Sequence, residues 1–255
     1  MSLLQYETKQ QLGFVTLKNE KEHNALSLQL IHELKEQLQR IGEEKEVKVV
    51  ILQGSSKVFS AGHNLKEIEA KSVHEVQSLF QDCIQLMKTI REIPQLVIAK
   101  VQGAAAAAGC QLVAVSDMAV AGEEATFSTP GINSGLFCST PAVFLSRNVG
   151  RKQACEMLFT GRFITAREAL EHQLVNRVVP SEELDEVTEK LAGEVAKQSL
   201  AVIELGKKMF YEQLNMHDWE ALNYATEVIS LNTKHPDAVE GIRAFLEKRK
   251  PEWRE

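Results

Sequence analysis

The chain has 255 residues, 44% hydrophobic and 25% charged, so it can bury a sizeable core as one large domain or two small ones. Its formal net charge is −6 with no dense run of Lys or Arg, which argues against DNA or RNA as a main partner, because neutralising phosphates needs a basic footprint. No stretch approaches the roughly 18 consecutive apolar residues of a membrane span.

The N-terminal stretch MSLLQYETKQQ lacks a secretory hydrophobic region, and with Glu7 and no Arg it makes a poor transit peptide. The expected location is cytoplasmic, with the mitochondrial matrix left open if a leader has been removed. GFVTLK then reads as a strand. From Ser27, a plausible helix cap, Ile31, Leu34, Leu38 and Ile41 recur at the spacing of one helix face. VKVVILQG, rich in β-branched residues and ending in Gly54, reads as a buried strand. A polar, small-residue loop, SSKVFSAGHN, leads to a helix from about Leu65.

A further strand, PQLVIAKVQG, follows Pro94, and the run GAAAAAGCQ, Gly103 to Gln111, comes next, ahead of the short strand SDMAVAG. Strands in series with intervening helices predict an α/β core with right-handed crossovers. From Gly150 the pattern turns helical. Thr165 and Glu168 form a capping box, LVNRVV is a short extended piece, and Ser181 can cap a helix through Leu184 and Val187. Residues 1–180 are therefore read as the α/β core, and 181–255 as an amphipathic helical region packed on it or on a neighbouring subunit. Cys83, Cys110, Cys138 and Cys155 are widely spaced and read as reduced cysteines, neither a disulfide framework nor a zinc site.

The alanine run permits two readings. It can be the start of a tightly packed helix. It can also expose first-turn N–H groups, with only methyl groups around them, to a ligand oxygen. The stretch Val58 to Ile68, VFSAGHNLKEI, presents small residues at Ser60, Ala61 and Gly62 in a similar setting. Two such loops, each leaving one strand of one core, could aim two amides at one carbonyl.

FSAGHNLKE, VQGAAAAAGCQLVAVSD, FSTPGINSGLF, LFTGRFITAREALEHQLVNRVV and AFLEKRKPEW, in this order and spacing, resemble the crotonase (enoyl-CoA hydratase/isomerase) superfamily along essentially the whole chain. The resemblance is closest to its domain-containing-protein-3 branch. It implies an α/β fold, a crotonase-like spiral of repeated ββα units followed by a helical trimerisation region. It also implies acyl-CoA thioesters as ligands, a homotrimer or a hexamer built as a dimer of trimers, and no metal or redox cofactor beyond the coenzyme A of the substrate. Neither nucleic acid nor membrane is an implied partner.

Carried over by that resemblance, the oxyanion donors are the backbone amides of Ala61 and Ala108. Substrate-binding positions are Glu22, His23 and Ala25 near the adenine and pantetheine of the CoA, together with Phe59, Ala61, His63, Asn64, Leu65, Ala106, Ala108, Pro130 and Gly131, and Phe245 and Lys248 from a neighbouring subunit. Both family glutamates are missing, replaced by Gln111 and Gly131. Gln111 cannot accept and return a proton at neutral pH, and reads either as a group that hydrogen-bonds a water or as a packed side chain satisfying a helix end. Gly131 is expected to leave extra room in the acyl pocket. His63 reads either as a lining residue at the bend of the CoA or as a proton donor near neutral pH. FSAGHNL also resembles methylmalonyl-CoA decarboxylase. The expectation is thus an acyl-CoA enzyme of lyase or isomerase type in which efficient hydration is doubtful. The alternatives are a decarboxylase of a small malonyl-type CoA ester using His63, or a non-catalytic acyl-CoA binder. Cys138 reads as a small hydrophobic residue.

Overall fold

The computed structural model describes residues 2–55 and 57–254. The chain opens with a hairpin, β1 (Leu4–Lys9) and β2 (Leu12–Leu17), followed by a 3-10 turn at Glu20–Glu22 and helix α1 (Leu28–Glu43). Three turns of a spiral follow. The first is β3 (Val49–Gly54), β4 (Val58–Ser60), α2 (Leu65–Glu69) and α3 (Val73–Glu92). The second is β5 (Leu96–Val101), β6 (Ala104–Ala106) and α4 (Ala108–Val115). The third is β7 (Met118–Gly122), β8 (Thr126–Ser128), a 3-10 turn at Pro130–Ser134, α5 (Ser139–Asn148) and α6 (Arg151–Thr160). Short elements β9 (Ile164–Thr165), α7 (Ala166–Glu171) and β10 (Arg177–Val179) lead to α8 (Leu184–Ala196), α9 (Leu200–Gln213), α10 (Asp218–Asn232) and α11 (Pro236–Leu246).

In every turn of the spiral the first strand joins one sheet and the second joins another. The larger sheet has the order β1-β2-β3-β5-β7-β10, and the smaller β4-β6-β8-β9. From β2 to β10 the large sheet is parallel, with Val50 beside Val97 and Ala99 beside Ala119 in register. This is the spiral of ββα units that the resemblance implies.

Side chains alternate along the central strands. Val50 and Leu52 enter the core shared with α1, α3 and the small sheet, while Val49 and Ile51 enter a second core under α8 with Leu184, Ala192 and Ala196. A strand buried on both faces reads as a continuous apolar run, as VVIL does. Since α8 covers the sheet, the boundary at residue 180 divides the chain by topology and not by core.

Several local signals act as expected. The Leu30 N–H donates to the Ser27 hydroxyl at 3.2 Å, and α1 buries Leu30, Ile31, Leu34, Leu38 and Ile41. Thr165 and Glu168 close the reciprocal capping box of α7. Ser181 does not cap α8. It lies in a 3-10 turn over Ser181–Glu183, and the helix begins after Glu183 without a side-chain cap. The alanine run is also not all helix, since Ala104–Ala106 form β6 and the helix begins at Ala108. An ion pair buried between α9 and the core, Lys207 Nζ to Asp117 Oδ2 at 2.8 Å, is completed by Lys207 donating to the Ile90 and Gln95 carbonyls.

Candidate active site

Two corners of the small sheet meet. After β4 the chain turns through Ala61 and Gly62, the latter at φ +88°, into His63 and Asn64. After β6 it turns through Ala107, which holds φ 50° and ψ −118°, a region disfavoured for any residue with a Cβ. A Cβ on Gly62 would stand 2.7 Å from the Ala107 Cβ and 3.0 Å from the Ala108 nitrogen, and one on Gly109 only 2.2 Å from the Ser60 carbonyl oxygen. Backbone therefore packs on backbone, and only glycine permits it at these two positions. The Ser60 hydroxyl fastens the first corner by donating to the Asn24 carbonyl at 2.8 Å and accepting from the Gly62 N–H at 3.2 Å. The Ala107 N–H fastens the second by donating to the Ser128 carbonyl at 2.9 Å.

The amides at these corners differ in what they can do. Ala61 N–H donates to the His23 carbonyl at 3.0 Å, so the expected donor at the first corner is already engaged. Among the described residues the N–H groups of His63 and Ala108 have no hydrogen-bond partner. Ala108 is in the first turn of α4, where intrahelical acceptors are missing and the helix end carries partial positive charge. The available pair is His63 and Ala108, not Ala61 and Ala108.

Beside the corners lies a cavity of about 160 Å³. One wall holds Ala61, His63 and Leu65, another Ala107 and Ala108, and Ile68 and Phe80 come from α2 and α3. The far side is the segment from Pro130 and Gly131 through Cys138 to Pro141. None of the residues lining it carries a carboxylate, an ammonium or a guanidinium group.

His63 sits edge-on to Phe80, with ring centroids 4.7 Å apart at 66°. Its Nε2 is buried with no partner, and burial lowers its pKa to about 4. The imidazole is therefore neutral at physiological pH, contrary to its expected part as a proton donor of near-neutral pKa. Gln111 is buried one turn along α4 from Ala108. Its Oε1 is unpaired, so it satisfies no helix end, and it does not line the cavity. Gly131 leaves no extra room, because a Cβ there would stand 2.7 Å from the Leu136 carbonyl oxygen and 2.8 Å from Cys138 Sγ. The space a side chain would need is filled by the following loop.

The other expected residues divide between wall, support and distance. Leu65 and Pro130 line the cavity. Phe59 and Ala106 are buried behind it, and Ala25 is buried in the turn before α1. Glu22 and His23 form that turn, where Glu22 Oε2 accepts from Asn64 Nδ2 at 2.6 Å and Asn64 in turn caps α2. Phe245 is exposed on α11, and Lys248 follows it with φ 56°. Neither reaches this cavity within one chain. Sequence reading missed Ala107, Phe80 and Leu136 as site-forming residues. A small residue between a short strand and a helix was a usable signal for Ala107, but nothing local marked the other two.

The sequence matches a known class of protein: residues 7–255 fit the family model described as enoyl-CoA hydratase/isomerase. The chain belongs to the enoyl-CoA hydratase/isomerase family. Within it, the chain stands in the domain-containing-protein-3 branch. It is 46% identical over 240 residues to the human mitochondrial enoyl-CoA hydratase domain-containing protein 3, covering 94% of this chain and 79% of that protein. The crystal structure of that human protein has a TM-score of 0.96, with 98% of this chain and all of that chain covered at 43% identity. An enoyl-CoA hydratase structure from Mycobacterium smegmatis also gives 0.96 at 43% identity, covering 99% of each chain. The 2,3-dehydroadipyl-CoA hydratase of Escherichia coli is 30% identical over 255 residues, covering 100% of this chain and 99% of that protein.

Proposed function

We propose that this protein binds acyl-CoA thioesters with the thioester carbonyl between the His63 and Ala108 N–H groups, and that it stabilises the enolate formed there. The observation that carries this reading is the pair of unpartnered amides on two corners in backbone contact, beside an apolar cavity. Fixed donors of this sort favour the charge that develops on the oxygen, and loss of one typically costs about 10²–10³ in rate. Family relatives named as hydratases support the ligand class. The adenine and pantetheine of the CoA would lie toward Glu22, His23 and Ala25, with Phe245 and Lys248 supplied by a second copy in a trimer or hexamer. The mitochondrial names of the relatives support the mitochondrial matrix as the compartment, with the cytoplasm as the alternative.

The reaction is not fast hydration. Gln111 and Gly131 stand where two proton-transferring carboxylates are needed, and each such group contributes roughly 10²–10⁴. A second reading, a non-catalytic acyl-CoA binder, is favoured by the cavity's lack of any carboxylate, lysine or arginine. Decarboxylation through His63 as proton donor is disfavoured by its neutral, apolar setting.

The deciding experiment compares hexanoyl-CoA with S-hexyl-CoA, a thioether without the carbonyl, by calorimetry on the full chain. Two hydrogen bonds worth about 1 kcal/mol each make the thioester ~30-fold tighter. Equal affinity would remove the proposed carbonyl site. A panel of acyl-CoA esters assayed for turnover then separates enzyme from binder.

A further inference from the structure

One wall of the cavity is built by a loop packed against a position that carries no side chain, Gly131. A Cβ on Gly131 would meet both the Leu136 carbonyl oxygen and the Cys138 thiol within 2.8 Å, so these two groups occupy the volume in front of residue 131. Cys138 is partly buried, lines the cavity, and precedes α5, whose first turn continues the wall through Ser139 to Pro141. Burial raises its pKa, so the thiol behaves as a small apolar surface.

Three facts bear on what this wall meets. The cavity is about 160 Å³, close to the roughly 150 Å³ apolar cavity known to hold one benzene. Its lining offers no cation to an acyl carboxylate, and burying such a charge without a partner is costly. Its one imidazole sits edge-on to Phe80.

Resting on the acyl-CoA reading above, we propose that Cys138 is a specificity-determining residue. Its thiol and the Leu136 carbonyl form a stop against which an uncharged acyl tail of about six carbons ends. A carbonyl oxygen is fixed by the backbone, whereas the thiol is a side chain, so position 138 is where the depth of the cavity is set. Replacing Sγ with a hydrogen deepens the cavity, and replacing it with a larger branched group shortens it. A carboxylate at the tail end would face the thiol and a carbonyl oxygen, with the hydroxyls of Ser134, Ser139 and Thr140 in the lining but no cation to neutralise it.

The test is calorimetric titration of the full chain with acetyl-, butyryl-, hexanoyl-, octanoyl-, decanoyl- and succinyl-CoA, for the wild type, Cys138→Ala and Cys138→Leu. In the wild type, affinity should rise about fourfold per added methylene up to hexanoyl-CoA and then level or fall. Succinyl-CoA should bind at least tenfold more weakly than butyryl-CoA, which has the same four-carbon chain. Cys138→Ala should move the best chain length upward and Cys138→Leu downward. A purely structural cysteine would weaken every ligand alike and leave the optimum where it was, and that result overturns the proposal. So does succinyl-CoA binding as well as butyryl-CoA. If Cys138→Leu does not fold, Cys138→Ala alone decides. Failure of every ester to bind the wild type would instead refute the acyl-CoA reading, and this inference with it.

Discussion

At Gly131 the missing glutamate cannot be put back by substitution alone. Any Cβ would press on the Leu136 carbonyl and Cys138 Sγ, so Gly131→Glu should cost about 1–3 kcal/mol of stability through overpacking. It should also leave crotonyl-CoA hydration at least about 100-fold below that of ordinary hydratases, as in the wild type. Denaturant unfolding reads the first effect and a hydration assay the second. Hydration at an ordinary rate in either protein would show that the acid/base argument is wrong. His63 gives a pH dependence. Its pKa falls from 6.5 to about 4 on folding, so the unfolded chain binds the proton more readily. The neutral imidazole's contribution is whole above pH 6.5 and is lost as the pH falls toward 4, about 3 kcal/mol in full. His63→Leu should flatten this part of the curve between pH 7.5 and 4.5 in urea unfolding. At the first corner, sequence reading named Ala61 as the donor, whereas the unpartnered amide is that of His63. The reason is physical: the Ala61 amide is claimed by the carbonyl of His23, which lies far away in the chain, and no local pattern announces that bond.

Helices with strong caps and a repeating apolar face are readable in the sequence. Ser27 with Ile31, Leu34, Leu38 and Ile41 specified α1, and Thr165 with Glu168 specified the start of α7. Thr165→Ala removes one half of that capping box and should cost about 1 kcal/mol, measurable as a shift in denaturation midpoint. The three-residue strands β4, β6 and β8 were not readable. They are too short to show a period, and β6 is all alanine, a residue depleted in strands, so its conformation is imposed by pairing with β4 and β8. Lys207 was equally silent in sequence, because its partners come from the end of α3, the bend before β5 and the turn before β7. Lys207→Met leaves Asp117 buried without its counter-ion, though still accepting from the Tyr211 hydroxyl and the Val97 N–H. The expected loss is about 3–5 kcal/mol in urea unfolding. A loss within about 0.5 kcal/mol would show the pair to be energetically idle.

At the level of the whole molecule, the helical region displays Trp219, Leu222, Ile229, Leu231 and Phe245 to solvent in a single chain. So much exposed apolar surface fits the proposed assembly of three or six copies. Sedimentation velocity should give a multiple of the 28.5 kDa chain, and Trp219→Glu should shift the population toward smaller species. A wild-type chain that sediments as a monomer at micromolar concentration would refute the assembly. The overall architecture was legible because five separated motifs marked family membership, whereas which turn of the spiral touches which was not. That contact has a practical corollary. Gly62 and Gly109 lock the first turn of the coil to the second, so any ester straddling His63 and Ala108 staples two successive layers of the molecule. Melting temperature therefore becomes a ligand meter that requires no knowledge of the reaction. An ester present at about a hundred times its dissociation constant adds ~2.7 kcal/mol to the folded state, and a thermal-shift screen can rank candidate substrates before chemistry is in hand.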